Sequence, residues 1–245
     1  MFIDDWHPVR PRPRSSKAVV IGAMLGLLGL ATAAQVPSVA EPLRPVPASL
    51  INLPKEDGLQ TAVLAGGCFW GIQGVFQHVE GVVSATSGYA GGSAETASYE
   101  QTETGLTGHA EAVRVVFDPQ KISYGTLLRI FFSATHDPTQ LDRQGPDIGP
   151  QYRSAIFPVN EQQANVAANY IKQLNEAKSF RSEIATTIEP GQSFYEAEPY
   201  HQDYMYRNPT QSYILIQERP KTDALKRLFP DLYREQPVLA AGRFE

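Results

Sequence analysis

Short apolar runs and amphipathic stretches follow one another along this chain, and together they predict a domain that mixes strands and helices. The run TAVLAGG at residues 61–67 is apolar and ends in two glycines, which predicts a strand and a tight turn. In CFWGIQGVFQHV at residues 68–79 the apolar side chains recur at helical spacing. A helix is therefore expected to begin at or just after Cys68, the residue that follows the glycine turn.

The same patterns predict the remaining elements. Runs rich in apolar, β-branched or aromatic residues predict further strands at residues 81–92, 109–119, 153–159, 184–190 and 212–220. Helices are predicted at residues 124–135 with Ser123 as N-cap, at 161–178 with Asn160 as N-cap, at 200–209 and at 222–235. The polar segments 93–108 and 136–152 are predicted loops. This mixture indicates an α+β fold, an α/β two-layer sandwich with a ferredoxin-like mixed sheet and helices packed on it.

The N-terminal part of the chain has a different character. A basic flank that ends at Lys17 precedes the uncharged run AVVIGAMLGLLGLATAA at residues 18–34. Residues 1–34 are therefore predicted to be a signal peptide or an N-terminal membrane anchor, and the protein is expected to be exported (periplasmic or secreted) or membrane-anchored. Residues 35–58 are rich in proline and predict an extended linker, which leaves residues 59–245 as the folded domain.

Composition narrows the classes of function. The chain of 245 residues is 42% hydrophobic and 19% charged, which is typical of a globular protein. Its net charge of -5 provides no basic surface for phosphates, which argues against nucleic acid as a partner. Cys68 is the only cysteine, so no disulfide can form within the chain.

The position of Cys68 allows two interpretations. A helix N-terminus favours negative charge, so a thiol placed there is expected to have a lowered pKa and to be reactive. Free cysteine is also among the most frequently buried residue types, and Cys68 could simply pack in the core. Position alone leaves both alternatives open.

Six short motifs lie in the middle of the chain. They are GGCFWG at 66–71, SGYAGG at 87–92, SYEQ at 98–101, TGHAEAVRVVFDP at 107–119, FFSATHDPTQLDRQGPDIGPQYRSAIF at 131–157 and YHQDYMYRNP at 200–209. In order and spacing they resemble the A-type peptide methionine sulfoxide reductases. The resemblance implies an oxidoreductase that reduces methionine (S)-sulfoxide, free and in proteins, and so repairs oxidative damage.

The resemblance implies that Cys68 is the nucleophile and Glu111 the acid. Reduction of a sulfoxide needs a soft nucleophile for sulfur and a proton donor for oxygen. Glu111 lies between small apolar residues of a predicted strand, where desolvation raises the pKa of a carboxyl group. From the residues alone, an outward-facing strand carboxylate is the alternative for Glu111.

The substrate-binding residues are also implied by the resemblance. Phe69 and Trp70 are expected to form an apolar wall for the methyl group of the substrate. Tyr99, Asp147 and Tyr152 are expected to orient the sulfoxide oxygen, the acid and a water molecule, because phenol and carboxyl groups exchange hydrogen bonds there.

Attack by Cys68 would leave a sulfenic acid on the protein. No later cysteine is present to resolve it, so regeneration is expected to depend on an external thiol, either a thioredoxin, a glutaredoxin or a small thiol. No bound metal or organic cofactor is expected, because the histidines lack ligand spacing and no phosphate-binding glycine motif is present. A monomer is expected.

Two alternatives to a reductase remain at this stage. Cys68 could be the nucleophile of a hydrolase or acyl transferase with His109 or His201 as its base. The chain could also be an exported binding module in which Cys68 only packs.

Overall fold

The computed structural model describes residues 42–55 and 57–240, and within them a mixed sheet carries helices. The strands are β1 Gln60–Gly66, β2 Val82–Ala90, β3 Ala110–Phe117, β4 Arg143–Gln144, β5 Asp147–Ile148, β6 Ser154–Phe157, β7 Thr187–Ile188 and β8 Phe194–Glu196. The α-helices are α1 Phe69–Gln77, α2 Tyr99–Thr102, α3 Tyr124–Ile130, α4 Glu161–Glu176, α5 Tyr204–Arg207 and α6 Arg219–Leu228. Two π-helical segments, Phe131–Thr135 and Ile214–Glu218, continue α3 and precede α6.

The main sheet has the strand order β7-β6-β1-β3-β2-β8. The pairings from β6 through β1, β3 and β2 to β8 are antiparallel, whereas β6 and β7 are parallel. Strands β4 and β5 form a separate small hairpin. The predicted α+β class with a mixed sheet is thereby confirmed.

The two faces of the sheet differ in their cover. Side chains from α1, α3, α4 and α6 pack with Leu64, Val113 and other strand residues into the main core. The opposite face holds a smaller cluster of mostly alanine residues, including Ala110 and Ala112. Because side chains alternate along a strand, Glu111 shares the helix-covered face with Val113, which brings a carboxyl group under α1.

Both predicted N-caps are confirmed. The Ser123 hydroxyl accepts a hydrogen bond from the Thr126 N–H at 3.2 Å, and the Asn160 side chain accepts one from the Gln163 N–H at 2.8 Å. Each side chain thus satisfies one of the free N–H groups at the start of its helix.

The prediction of a strand over residues 212–220 is wrong. This stretch is helical and runs from the π segment into α6. Its buried residues include Ile214, Glu218, Lys221 and Leu225, three or four positions apart, whereas Ile216 is 67% exposed. By itself the apolar run resembles a strand. The helical spacing of the buried side chains becomes visible only when the residues beyond Pro220 are included.

Other differences are confined to short elements. Only Thr187–Ile188 of the strand predicted at residues 184–190 pairs with the sheet, and the edge strand β8 was not predicted. Segment 93–108, predicted as a loop, contains a 3-10 turn and α2, and segment 136–152 contains the β4–β5 hairpin.

Residues 42–55 have no helix or strand, and they pack against the domain. Val46 is buried, its N–H donates to the Ser133 hydroxyl, and its carbonyl accepts from Arg129 at 2.8 Å. The Tyr170 hydroxyl donates to the carbonyl of Pro47. Packing therefore begins before the predicted boundary at residue 59.

The segment 1–34, predicted as a signal peptide or membrane anchor, lies outside the described residues. Among the residues that the structure does describe, no helix has both the length and the apolar character needed to cross a membrane.

Candidate active site

The turn between β1 and α1 places Cys68 at the N-cap of the helix, as predicted. Gly67 has φ of +96°, a conformation that favours glycine. A Cβ at this position would lie 2.6 Å from Cβ and Cγ of Gln144 in β4. The glycine therefore serves both the turn and the close approach of the hairpin beside the thiol.

Glu111 projects from β3 to the start of the same helix. It is 2% exposed, and its Oε2 accepts a hydrogen bond from the Phe69 N–H at 2.9 Å. Burial raises the pKa of Glu111 well above its ordinary value, and the Phe69 N–H opposes this shift only in part. The expected desolvated carboxyl group is confirmed, and the alternative of an outward-facing carboxylate is wrong.

The expectation of a lowered pKa for the Cys68 thiol is wrong for this structure. Burial raises the thiol pKa well above its ordinary value, and the negative charges of Glu111 and Glu218 raise it further. Lys221 and the Trp70 N–H act in the opposite direction without reversing the shift. The helix start is outweighed because the thiol lies in a site with little solvent and two carboxyl groups.

A cavity of about 160 Å³ brings together every residue that the sequence assigned to the site. Its lining consists of Cys68, Phe69, Trp70, Tyr99, Glu111, Asp147, Tyr152 and Tyr213. Only Tyr213 in this set was not predicted. The cavity has room for a small group such as a methyl sulfoxide, beside both a thiol and a carboxyl group.

The two aromatic residues after Cys68 both line the cavity, and residues outside the cavity lining contact their rings. The Phe69 ring lies 5.0 Å from the ring of His201. The Trp70 ring stacks on Tyr204 with centroids 3.8 Å apart, and its Nε1–H donates to Nδ1 of His201 at 3.1 Å. The apolar wall is therefore fixed by residues of the YHQDYMYRNP motif.

The polar residues of the cavity are held by hydrogen bonds, either to a residue outside the lining or to each other. The Tyr152 hydroxyl donates to Oε1 of Glu103 at 2.9 Å, and the Tyr213 hydroxyl donates to Oδ2 of Asp147. Burial, followed by the charges of nearby carboxylates, raises the pKa of Tyr99 to about 12. The phenols therefore stay protonated at neutral pH and can donate hydrogen bonds.

Glu198 was not singled out in the sequence, yet it supports the site. Its carboxylate accepts hydrogen bonds from the Tyr99 N–H at 2.9 Å and from the Tyr89 hydroxyl at 2.8 Å. Partial burial raises the pKa of Glu198, but these two donors, the N–H of Glu198 itself and the nearby His201 together more than offset it, and the net pKa is lowered. A charged carboxylate thus fixes the start of α2, which carries Tyr99.

Tyr213, Glu218 and Lys221 were missed for a single reason. All three follow Pro209, in the stretch that was predicted as a strand and its continuation. Glu218 and Lys221 are three residues apart, so a helical interpretation would have placed these two on one face. Tyr213 and Glu218 are five residues apart, which is about 140° on an α-helix, so that interpretation would not have joined Tyr213 to them.

Neither histidine proposed as a hydrolase base lines the cavity of Cys68. The His109 ring accepts from the Gly92 N–H and bonds the Ser93 carbonyl, so both its nitrogens are engaged in the preceding loop. His201 is engaged by Trp70, and burial lowers its pKa. The hydrolase alternative therefore lacks its proposed histidine base beside the thiol.

Comparison with known proteins gives concordant results. A sequence profile described as "Peptide methionine sulfoxide reductase" matches residues 60–232. Peptide methionine sulfoxide reductase MsrA 2 of Mesorhizobium japonicum is 56% identical over 182 residues, 74% of this chain and 93% of that protein. Its namesake from Synechocystis sp. is 47% identical over 73% of this chain and 84% of that protein. The solved methionine sulfoxide reductase A of Corynebacterium diphtheriae aligns with a TM-score of 0.53 and 33% identity, over 71% of this chain and 88% of that chain.

Proposed function

The chain belongs to the peptide methionine sulfoxide reductase family and is an oxidoreductase that reduces methionine sulfoxide, and from this premise we propose that Cys68 attacks the sulfoxide sulfur while Glu111 protonates its oxygen. The observation that carries the assignment is the shared cavity, in which thiol and carboxyl group adjoin the same helix start. In the net step the oxygen passes from the substrate to the sulfur of Cys68. Methionine sulfoxide is reduced to methionine by two electrons, and the thiol is oxidised by two, to a sulfenic acid.

The protonation of Cys68 is coupled to that of Glu111, and this coupling suits the proposed step. An ionised Glu111 raises the pKa of the Cys68 thiol by repulsion, and burial raises the pKa of both groups. When one proton moves from the thiol to the carboxylate, only one of the two groups is negatively charged, and the repulsion between two ionised groups is avoided. The product of the transfer is a thiolate beside a carboxylic acid, so nucleophile and proton donor become available together.

The cavity lining supports the recognition of methionine (S)-sulfoxide, free and in proteins. Phe69 and Trp70 form the apolar wall for the methyl group, while Tyr99, Tyr152 and Asp147 orient the sulfoxide oxygen, Glu111 and a water molecule. The protonated phenol of Tyr99 can donate to a sulfoxide oxygen, which is a strong acceptor. Repair of oxidised proteins follows from this substrate class.

Regeneration requires thiols from outside the chain. One external thiolate attacks the sulfenic acid sulfur, which releases water after protonation and forms a mixed disulfide with Cys68. A second thiolate then attacks that disulfide, which restores Cys68 and releases the oxidised reductant. Thioredoxin, glutaredoxin and a small thiol are the candidate reductants, and the protein acts as a monomer.

The test uses a peptide that contains methionine sulfoxide, with dithiothreitol as reductant and mass spectrometry as readout. The expected result is loss of one oxygen per sulfoxide by the wild-type protein and none by C68S. Separated S and R epimers test the stereochemistry, and parallel assays with thioredoxin, glutaredoxin and glutathione identify the reductant. Intact sulfoxide with every reductant would contradict the proposed activity.

We also propose export or membrane attachment through residues 18–34. The support is the basic flank followed by an uncharged run in the sequence. N-terminal sequencing of the protein from soluble and membrane fractions tests this. A start near residues 34–40 indicates cleavage, an intact N-terminus in membranes indicates an anchor, and an intact N-terminus in the cytosol contradicts both.

A further inference from the structure

A buried ion pair lies beside the candidate active site and has no part in the mechanism above. Nζ of Lys221 lies 2.7 Å from Oε2 of Glu218, and the two side chains are 10% and 1% exposed. Both belong to the helical C-terminal stretch. Because the burial of an ion pair has a large desolvation cost, stability alone is a weak explanation for this pair.

The pair is inserted against the first turn of α1. A Cβ built on Gly71 would lie 1.5 Å from Oε2 of Glu218 and 3.0 Å from Cδ of Lys221. Gly71 comes three residues after Cys68, which is about one turn of helix. Any other residue at position 71 would displace the carboxylate, so the glycine of GGCFWG makes room for this charge.

A second cavity connects the pair with the site. It has a volume of about 150 Å³, and Glu218 and Lys221 line it together with Asp147 and Tyr213. Asp147 and Tyr213 also line the cavity of Cys68. The hydrogen bond between these two residues therefore lies between the thiol and the ion pair.

Several ionisable groups surround the thiol from different elements. They include Glu111 on β3, Asp147 on β5, Tyr99 on α2, Tyr152 in the turn before β6, Tyr213 before the second π segment, Glu218 in that segment and Lys221 on α6, and the second cavity adds His136 and Asp137. Lys221 is a cation, the carboxyl and phenol groups are acids, and burial lowers the pKa of His136 to about 3, which keeps it neutral. At short range and with little solvent, each charge acts strongly on the thiol–thiolate equilibrium.

We propose that Glu218 and Lys221 are positioning residues that set how readily Cys68 loses its proton, with the ammonium group supporting the thiolate and the carboxylate opposing it. The inference deepens the proposed function and rests on it for its catalytic meaning. A protein with one cysteine must present the same sulfur to the sulfoxide and, after oxidation, to an external thiol. The ion pair provides both signs of charge beside that sulfur.

The test measures the rate of Cys68 alkylation by iodoacetamide against pH, without any sulfoxide present. Because the chain has one cysteine, the reaction reports that thiol alone. E218Q is expected to lower the pH midpoint of alkylation by about one unit, and K221Q to raise it by about one unit. K221R and the exposed control K172Q are expected to leave the midpoint in place, since Lys172 is 71% exposed on α4.

Opposite shifts distinguish an electrostatic role from a structural one. Loosened packing would move both midpoints in the same direction, and unchanged midpoints would overturn the inference as well. Thermal unfolding verifies that each variant is folded. If K221Q does not fold, E218Q decides with E218D as its charge-keeping control, because only E218Q should lower the midpoint.

Sulfoxide reduction at single turnover over the same pH range then tests the link to catalysis. The rate profiles of E218Q and K221Q should move in the same directions as their alkylation midpoints. Shifted alkylation without any sulfoxide reduction by the wild-type protein would leave the inference standing and overturn the proposed function. Normal sulfoxide reduction together with unshifted alkylation midpoints would overturn the inference and leave the proposed function standing.

Discussion

The backbone N–H of Phe69 donates a hydrogen bond to the carboxyl group of Glu111, and this contact ties the helix that begins after Cys68 to the central strand β3. The two residues are 42 positions apart in the chain. Because the donor follows Cys68 directly, nucleophile and acid cannot move independently. This hydrogen bond gives a partner to one of the free N–H groups at the helix start. The partner is the carboxyl group that is proposed to protonate the substrate.

The first prediction concerns the acid. Glu111→Gln keeps an acceptor for the Phe69 N–H and should retain the fold, but it should slow single-turnover reduction by about 100-fold. Since burial raises the pKa of Glu111, the wild-type group stays protonated above the usual carboxyl range. The wild-type rate should therefore decline at high pH, where Cys68 and Glu111 are both ionised and no proton donor remains, and the variant should lack this decline. A wild-type rate in the variant at every pH would show that the acid is misassigned.

The second prediction concerns the turn before the thiol. Gly67→Ala forces alanine into positive φ and places its Cβ 2.6 Å from Gln144, so it should lower the free energy of unfolding by about 3 kcal/mol. Gly191→Ala is a matched control, because Gly191 also has positive φ but no atom within 4 Å of an added Cβ. Its cost should be about 1 kcal/mol. Urea unfolding compares the two, and equal losses would contradict a role for close packing at Gly67.

The third prediction concerns the residue that the sequence did not reveal. Tyr213→Phe removes the hydrogen bond to Asp147 and should lower kcat/KM by about tenfold, as expected for a bond to a charged group. Tyr206→Phe removes a hydroxyl from a side chain that is 55% exposed and should have no effect. Steady-state assays with a sulfoxide peptide measure both, and similar losses in both would argue against a specific role for Tyr213.

The fourth prediction concerns the apolar wall. Trp70→Phe removes the hydrogen bond to His201 and replaces the indole that stacks on Tyr204 with a smaller ring. Binding to the wall is expected to be similar in the ground and transition states, so KM should rise severalfold while kcat changes little. An unchanged KM with a lowered kcat would place Trp70 in the chemical step instead.

The sequence was most informative where local rules decide the structure. The glycine turn, the helix after Cys68 and the caps at Ser123 and Asn160 depend on neighbouring residues, and all were predicted. The burial of Glu111 was implied by the resemblance, whereas the residues alone left an outward-facing carboxylate open; in the structure, alternation along β3 places Glu111 on the same face as Val113.

The contributions of distant residues could not be predicted in the same way. Glu218 and Lys221 act on Cys68 from about 150 positions further along the chain, through a π segment whose apolar run resembled a strand. The helix start by itself favours a lowered thiol pKa, whereas burial raises this pKa, the charges of Glu111 and Glu218 raise it further, and Lys221 only opposes the rise. A helix start was visible in the sequence, whereas the two carboxyl groups and the burial around it were tertiary features.

The central claim is that Cys68 accepts the sulfoxide oxygen and holds it as a sulfenic acid, and a single turnover without reductant tests it most directly. The wild-type protein is mixed with excess methionine sulfoxide peptide and dimedone, and both products are quantified by mass spectrometry. The account predicts one methionine peptide per chain and one dimedone adduct on Cys68. Methionine formation without any adduct on Cys68, or no methionine at all, would contradict it.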